Sequence, residues 1–377
     1  MQRWLLSLAV LMGLLALASC ASEEKATPAP SPTAATRPAW EQEWDRVVEA
    51  AKKEGKVTLA APLGDAVRKA LTEPFEKRYG ITVEYQGFSG PEFPAKLRSE
   101  RAAGQYLWDF YIGGSTTAIS TLKMDMKSLD AIEPNLILPE VTDPKSWRGG
   151  KLGFLDKDKM VYGMTNYTTG TWWINPTLVK LEEFKSWKDL LDPKWKGKIL
   201  MSDPKVPGAG QSRLLFFYLH PQLGPDFIRA LAPQLVLSRD YQQMTDWIAT
   251  GRYPIHISEH GTIEPEMVKK GAPLASLDPR QLKEGGYLAS GVGNLALINR
   301  PAHPNAAKVY LNWLLSKEGQ TEFSRGTALP SRRLDVPTDH LDPARLPIEG
   351  AIDTDVEEAV LLRQTKIADL ANELFGR

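Results

Sequence analysis

From residue 44 onward the apolar positions of this chain alternate between helical spacing and short continuous runs. Trp44 to Lys53 carries them at helical spacing, and Lys56-Val57-Thr58-Leu59-Ala60-Ala61 then reads as a buried strand. Asp65 to Tyr79 predicts a helix that Gly80 ends. Ile81-Thr82-Val83-Glu84-Tyr85, branched and aromatic, predicts a second strand. Ser89 and Glu92 stand at capping-box spacing and start a helix to about Ala103, and Trp108 to Ile112 predicts a third strand. Strands alternating with helices in this way predict a largely parallel sheet covered on both faces.

The alternation recurs. Lys198 to Ser202 and Pro254 to Ser258 read as strands, and helices are expected from Ser212 to Leu219 and Tyr241 to Thr250, so a second α/β unit succeeds the first. Asn305 to Ser316 and Val356 to Leu374 carry apolar stripes that read as core faces. Gly291-Val292-Gly293-Asn294-Leu295-Ala296 fits the permissive dinucleotide pattern. Its continuation, Leu295-Ala296-Leu297-Ile298, reads as a strand where that fingerprint needs a helix.

The beginning of the chain obeys another logic. Arg3 precedes an apolar run from Leu5 to Ala18, shorter than the roughly 18 to 20 residues that span a bilayer, and small residues lead into Cys20. This is a signal-peptide layout. Leu17-Ala18-Ser19-Cys20 also resembles the bacterial lipobox, whose cysteine is acylated and becomes the first residue after cleavage. Cys20 is the single cysteine of the chain, so no internal disulfide can form. Burial of acyl chains is worth about 0.8 kcal/mol per methylene, and two chains suffice for stable anchoring. Residues 21–39, rich in Ala, Pro, Ser and Thr, then read as a tether reaching about 25 Å as a coil and about 60 Å as polyproline.

Charge narrows the function classes. Lys and Arg total 46 and so do Asp and Glu, so no basic field attracts nucleic acid, and recognition must lie in local sites. GxSxG, HExxH and Walker patterns are missing. Two glycine-rich strand-to-helix turns stand out instead, Gly113-Gly114-Ser115-Thr116-Thr117 and Gly208-Ala209-Gly210-Gln211-Ser212. Helix N-termini present unsatisfied N–H donors that favour carboxylate, phosphate or sulfonate groups. Each contributes about 0.3 to 2 kcal/mol, whereas micromolar binding needs about 8 kcal/mol, so the turns orient a ligand that other groups must also hold. Asn166 to Trp173 adds amide, hydroxyl and aromatic groups, and as one strand it sets Trp172 and Trp173 on opposite faces. Glu259 and His260 come just after a strand end, where open α/β sheets place ligand residues. On a strand, His256 and His260 would lie about 13 Å apart, which disfavours a metal pair. His220, His303 and His340 read as surface residues.

Three segments carry a family resemblance: Lys96 to Thr117 (KLRSERAAGQYLWDFYIGGSTT), Ser186 to Pro204 (SWKDLLDPKWKGKILMSDP) and His303 to Gln320 (HPNAAKVYLNWLLSKEGQ). They resemble the extracellular solute-binding proteins of bacterial ABC importers, in the branch containing ferric-iron, thiamine, polyamine and organophosphonate binders, over about residues 41 to 335. The resemblance implies a bilobal type II periplasmic-binding fold of two discontinuous α/β domains, with a ligand cleft between them and hinge strands. One lobe would comprise 40–160 plus 286–325, the other 161–285 plus 326–377, after a signal peptide at 1–19 and a lipidated tether at 20–39. The expected protein is no enzyme and needs no cofactor and no resident metal. It is a monomer, exported and lipid-anchored on the outer face of the cell membrane, that captures a small anionic or organic solute and delivers it to the permease subunits. Candidate ligand residues are Ser89, Gly114, Ser115, Thr116, Asn166, Tyr167, Trp172, Gly210, Gln211, Glu259 and His260. Iron-binding members use adjacent tyrosines just after the strand corresponding to Tyr253 to Ser258; here that place reads Ser258-Glu259-His260-Gly261. The departure argues against a phenolate pair and leaves a ferric–anion complex as the alternative, with a hydrolase on the same scaffold as the remaining reading.

Overall fold

The computed structural model describes residues 37–88, 92–206, 208–258 and 263–376. The expectations for Cys20, the tether up to residue 36, Ser89, Glu259 and His260 lie outside the described residues. Strands β1 (Lys56–Ala61), β2 (Thr82–Gly87), β3 (Phe110–Gly113), β4 (Leu129–Asp130) and β5 (Val161–Gly163) belong to a first sheet, with helices Asp65–Tyr79 and Glu92–Ala102 between its opening strands. Strands β6 (Tyr167–Thr169) and β7 (Trp172–Ile174) come next. After them stand β8 (Ile199–Ser202), β9 (Leu235–Ser238), β10 (Ile255–His256) and β11 (Ala275–Leu277), then β12 (Tyr287–Ala289) and β13 (Asn294–Ile298).

The first sheet runs β2-β1-β3-β13-β4, with β5 also paired to β13; the second runs β11-β7-β10-β8-β9. Both depart from the largely parallel expectation at one strand. β13 is antiparallel to β3, β4 and β5, and β7 is antiparallel to β10 and β11. The reason is the path of the chain. β5 leads through β6 into β7, β11 returns through β12 into β13, and β6 and β12 pair as an antiparallel ribbon with Tyr167 opposite Ala289 and Thr169 opposite Tyr287. The strands at which the chain enters one sheet and re-enters the other therefore run against their neighbours.

The segment 166–173 is two strands rather than one. Gly170 breaks it at φ 116, a conformation open to glycine, so β6 joins the ribbon and β7 the second sheet. Trp172 and Trp173 do lie on opposite faces of that sheet: Trp172 packs among Phe184, Trp187 and Phe216, and Trp173 among Leu200, Met244 and Ile248. The first sheet is covered on one face by a core including Phe75, Phe110, Tyr310 and Trp313, and on the other by one including Phe93, Trp108 and Ile119.

His303 is a correction to the surface reading. It is half-buried, its backbone N–H donates to Asp109 Oδ1 at 2.7 Å and its Nδ1 lies 2.9 Å from Oδ2. Asp109, fully buried, also accepts from the Thr58 N–H at 2.7 Å; burial pushes its carboxyl up, against the pull of these bonds. The histidine braces the entrance to β3. Among the described residues, no helix is long and apolar enough to cross a membrane.

Candidate functional site

A cavity of about 270 Å³ opens where the elements of the two sheets meet. Its wall has four contributors: Gly114 to Thr117 after β3, Tyr167 and Thr169 from β6 facing Tyr287 and Ala289 from β12, Ala209 and Ser212, and Thr354, Asp355 and Arg363. Three larger hollows, of about 330, 400 and 490 Å³, are lined by residues within 183–195, 220–352 and 171–345. None receives a residue of the first sheet or of the turn after β3. We take the cavity of about 270 Å³ as the site because residues from both sheets' sides converge on it.

Both glycine turns reach this cavity, as starts of helices. Helical geometry begins at Ser115 and passes into a π-helix, Thr117–Asp125, while helix Ala209–Leu219 opens directly after Gly208. The N-terminal N–H groups of both are thus the ends nearest the cavity wall. Ser115 is buried, and its hydroxyl donates to Asp355 Oδ1 at 2.6 Å, a contact spanning 240 residues. The backbone N–H and the hydroxyl of Ser290 donate to Oδ2 at 2.6 and 2.7 Å. Burial would raise the Asp355 carboxyl, but the Arg363 charge and the serine bonds outweigh it and hold it below the usual carboxylate range. Asp355 is therefore ionised at neutral pH, with its nearest contacts taken by serines.

Arg363 is the cation of this wall. Its Nη1 donates to Thr116 Oγ1 at 3.2 Å and its Nη2 to the Thr354 carbonyl at 2.7 Å, with Asp355 Oδ1 farther off at 3.5 Å. The aromatic side of the cavity is also held in place. Tyr287 stacks on Phe216 with ring centroids 5.1 Å apart, and the Arg213 guanidinium lies over both Tyr287 and Trp187. Arg345 covers the ring of Tyr167 at 5.4 Å.

Of the residues expected at the ligand, the structure brings Gly114, Ser115, Thr116 and Tyr167 together in this wall. It places others elsewhere. Trp172 is fully buried in the second core, because β7 turns that face toward Phe184 and Trp187. Asn166 is buried beside the cavity, with its amide donating to Asp353 Oδ2 at 3.2 Å. Gly210 and Gln211 are buried in the first turn of their helix, while their neighbours Ala209 and Ser212 line the wall. His256 is buried at 3.5 Å from Glu264 on helix Ile263–Lys269.

Sequence reasoning missed Thr354, Asp355, Arg363 and Tyr287. For Arg363 a signal existed. Val356, Val360, Ile367, Leu370 and Leu374 form one helical stripe, and Arg363 falls on it, a charge on an otherwise apolar face. A further charged cluster lies behind the first turn: Asp156, Asp158 and Glu357 converge within 4.8 Å, and the Lys123 ammonium sits among them at 2.7, 2.9 and 2.7 Å. The lysine supplies the acidic cluster with its counter-charge.

Comparison with known proteins bears on the family and the fold. The profile described as "Bacterial extracellular solute-binding protein" matches residues 70–345. An uncharacterised protein of Haemophilus influenzae is 24% identical over 291 residues, 72% of this chain and 75% of its own. Among solved structures, the periplasmic binding protein AfuA of Actinobacillus pleuropneumoniae, with fructose-6-phosphate bound, superposes with TM-score 0.60 at 18% identity, covering 86% of this chain and 99% of that one. FutA of Trichodesmium, in complex with iron and citrate, gives 0.63 at 15% identity, covering 86% and 100%. Ferric iron-binding protein A of Mannheimia haemolytica, in an open conformation, gives 0.66 at 14% identity, covering 85% and 98%.

Proposed function

Because this chain belongs to the bacterial extracellular solute-binding proteins, we propose that its cleft captures a small anionic solute and that Gly114, Ser115, Thr116 and Tyr167 contribute to holding it. The fold is the bilobal type II periplasmic-binding fold, and the protein is the substrate-binding component of an ABC-type importer, which binds its solute without converting it. What supports the anion reading is one feature of the wall: the starts of two helices face a single cavity rich in hydroxyl groups. Such ends offer N–H donors and partial positive charge at no cost in side-chain ordering. The ribbon of β6 and β12 is the natural hinge, so the lobe boundary belongs within these two strands. On that reading β5, which pairs with β13, would go with the first sheet.

The reading is checked by thermal unfolding of the mature protein with inorganic phosphate, fructose 6-phosphate, citrate, ferric citrate, thiamine and spermidine. A bound ligand at one hundred times its Kd adds about 2.7 kcal/mol to stability, so at least one anion is expected to raise the midpoint. A rise with spermidine or thiamine and with none of the anions would remove the reading. Two phenols, Tyr167 and Tyr287, line the same cavity and support a ferric–anion complex as the second reading. A visible phenolate-to-iron band on adding ferric citrate would put it first.

The lipobox-like Leu17 to Cys20 supports anchorage of a monomeric receptor on the outer face of the cell membrane, close to its permease. Cys20→Ser is expected to move the protein from the membrane fraction into the soluble fraction with its ligand affinity unchanged. Continued membrane association of the variant in fractionated cells would refute the anchor.

A further inference from the structure

We propose that Arg363 selects for negative charge in the cleft, as a ligand-contacting residue delivered by the C-terminal helix. The proposal rests on the anion reading above and adds the group that makes the cleft prefer an ionised oxyanion, a phosphate ester or a carboxylate, over an uncharged solute of the same shape.

Arg363 and Asp355 are the charged side chains among the described residues lining the cavity. They face each other as a buried ion pair at 3.5 Å. Asp355 gives its short contacts, 2.6 to 2.7 Å, to Ser115 and Ser290, and stands 3.5 Å from the guanidinium. Arg363 gives its shorter contacts to neutral groups, from Nη2 to the carbonyl of Thr354 and from Nη1 to the hydroxyl of Thr116. A guanidinium has five N–H donors, and the Nε of Arg363, buried from solvent, has no partner. Arg363 as a whole is only 7% exposed. The residue also lines the cavity, where an entering oxyanion would meet its guanidinium. Guanidinium forks are matched to carboxylate and phosphate oxygens.

The backbone supports the same assignment. Val360 packs in the first sheet's second core and Ile367 in the second sheet's core, so the helix crosses from one half to the other between them. It does so through a π-helical turn, Arg363–Ile367, set between helices Glu357–Leu362 and Ala368–Phe375. Such turns re-aim side chains and recur at functional sites. Thr116, on which Nη1 rests, belongs to the first glycine turn, so the arginine stands beside one of the two helix ends facing the cavity. The family match ends at residue 345. Arg363 thus lies beyond the matched region.

The test is calorimetric titration of wild type, Arg363→Gln and Arg363→Lys with inorganic phosphate, fructose 6-phosphate, citrate and, as the uncharged control, fructose. Wild type is expected to bind at least one anion, and R363Q to bind it about 10- to 100-fold more weakly, the worth of a charge-assisted hydrogen bond, with no loss toward fructose. R363Q binding the anion within twofold of wild type overturns the proposal while leaving the anion reading standing. A wild type that binds none of the three anions overturns both. A loss that is equal for fructose marks Arg363 as structural and also overturns it. If R363Q does not fold, R363K carries the decision: an ammonium lacks the planar fork, so about a tenfold loss is expected, and unchanged affinity overturns the proposal.

Discussion

Lys123→Ala is expected to lower the unfolding free energy by about 3–5 kcal/mol, the usual result of removing one partner from a buried ionic cluster. The Lys123 side chain is 6% exposed, and its ammonium lies 2.7 Å from Asp156, 2.7 Å from Glu357 and 2.9 Å from the more exposed Asp158. Burial opposes the charge on this lysine, yet the bonds to the three carboxylates raise its pKa above the usual lysine range. Its folded-state pKa exceeds the unfolded value of about 10.4, so the contribution is complete below that pH and is lost only as pH rises through the folded value. Without the ammonium, Asp156 and Glu357 remain buried as like charges. Asp156 also accepts from the N–H groups of Met160 and Val161, so it cannot readily turn away. Lys123→Met, which keeps the aliphatic stem, separates charge from packing: urea unfolding should show a loss for it close to that of alanine. A loss under about 1 kcal/mol in both variants, at unchanged m-value, would refute the account. The cluster matters for the site because it pins the helix behind the first glycine turn to the same C-terminal segment that carries Asp355 and Arg363.

Gly210→Ala is expected to destabilise the fold by about 1–3 kcal/mol or more, and to weaken ligand binding through displacement of the helix start. A Cβ at Gly210 would stand 2.2 Å from the carbonyl oxygen of Ser202, 2.9 Å from its carbon and 3.0 Å from the nitrogen of Pro204. All three are backbone atoms at the end of β8, and none can rotate aside. Gly114 in the other turn makes the contrast: a Cβ there meets nothing within 4 Å, and Gly114→Ala should change stability by less than about 0.5 kcal/mol. Chemical unfolding of the two variants side by side reads this directly. Equal stability for both would mean that the β8 end yields. Two turns alike in sequence thus have glycine for different reasons, one to let a helix close against a strand end and one in the wall of the cavity.

Much of the fold is legible along the chain. The strand Lys56–Ala61 and the helix Asp65–Tyr79 can be read to their end residues, because a short apolar run and a helical stripe ended by Gly80 are local signals. Gly80 closes that helix in the left-handed conformation at φ 68, as a C-terminal glycine does. The strand expected over Pro254 to Ser258 is shorter, Ile255–His256, and the run from Asn166 to Trp173 is broken by Gly170. A strand needs a neighbour for its hydrogen bonds, and neither the neighbour nor its register is written in the strand's own residues. The site is legible in part for the same reason. Ser115 and Thr116 announce themselves at a strand-to-helix turn. Asp355 and Arg363 sit in or beside a stripe that reads as core, and what distinguishes them is the company of Ser115, Ser290 and Thr116, up to 247 residues away.

By itself, then, the amino-acid order determined the local periods, hence the strands, helices and turns, together with the signal-like N-terminus and the resemblance that led to the family. Only the tertiary structure decided that β7 and β13 run against their sheets, that Trp172 is core, and that a C-terminal helix brings a cation to the cleft. Periodicity records which face of an element is apolar. It carries no information on which distant element covers that face, and that is settled only when the two cores close and distant polar groups must find each other.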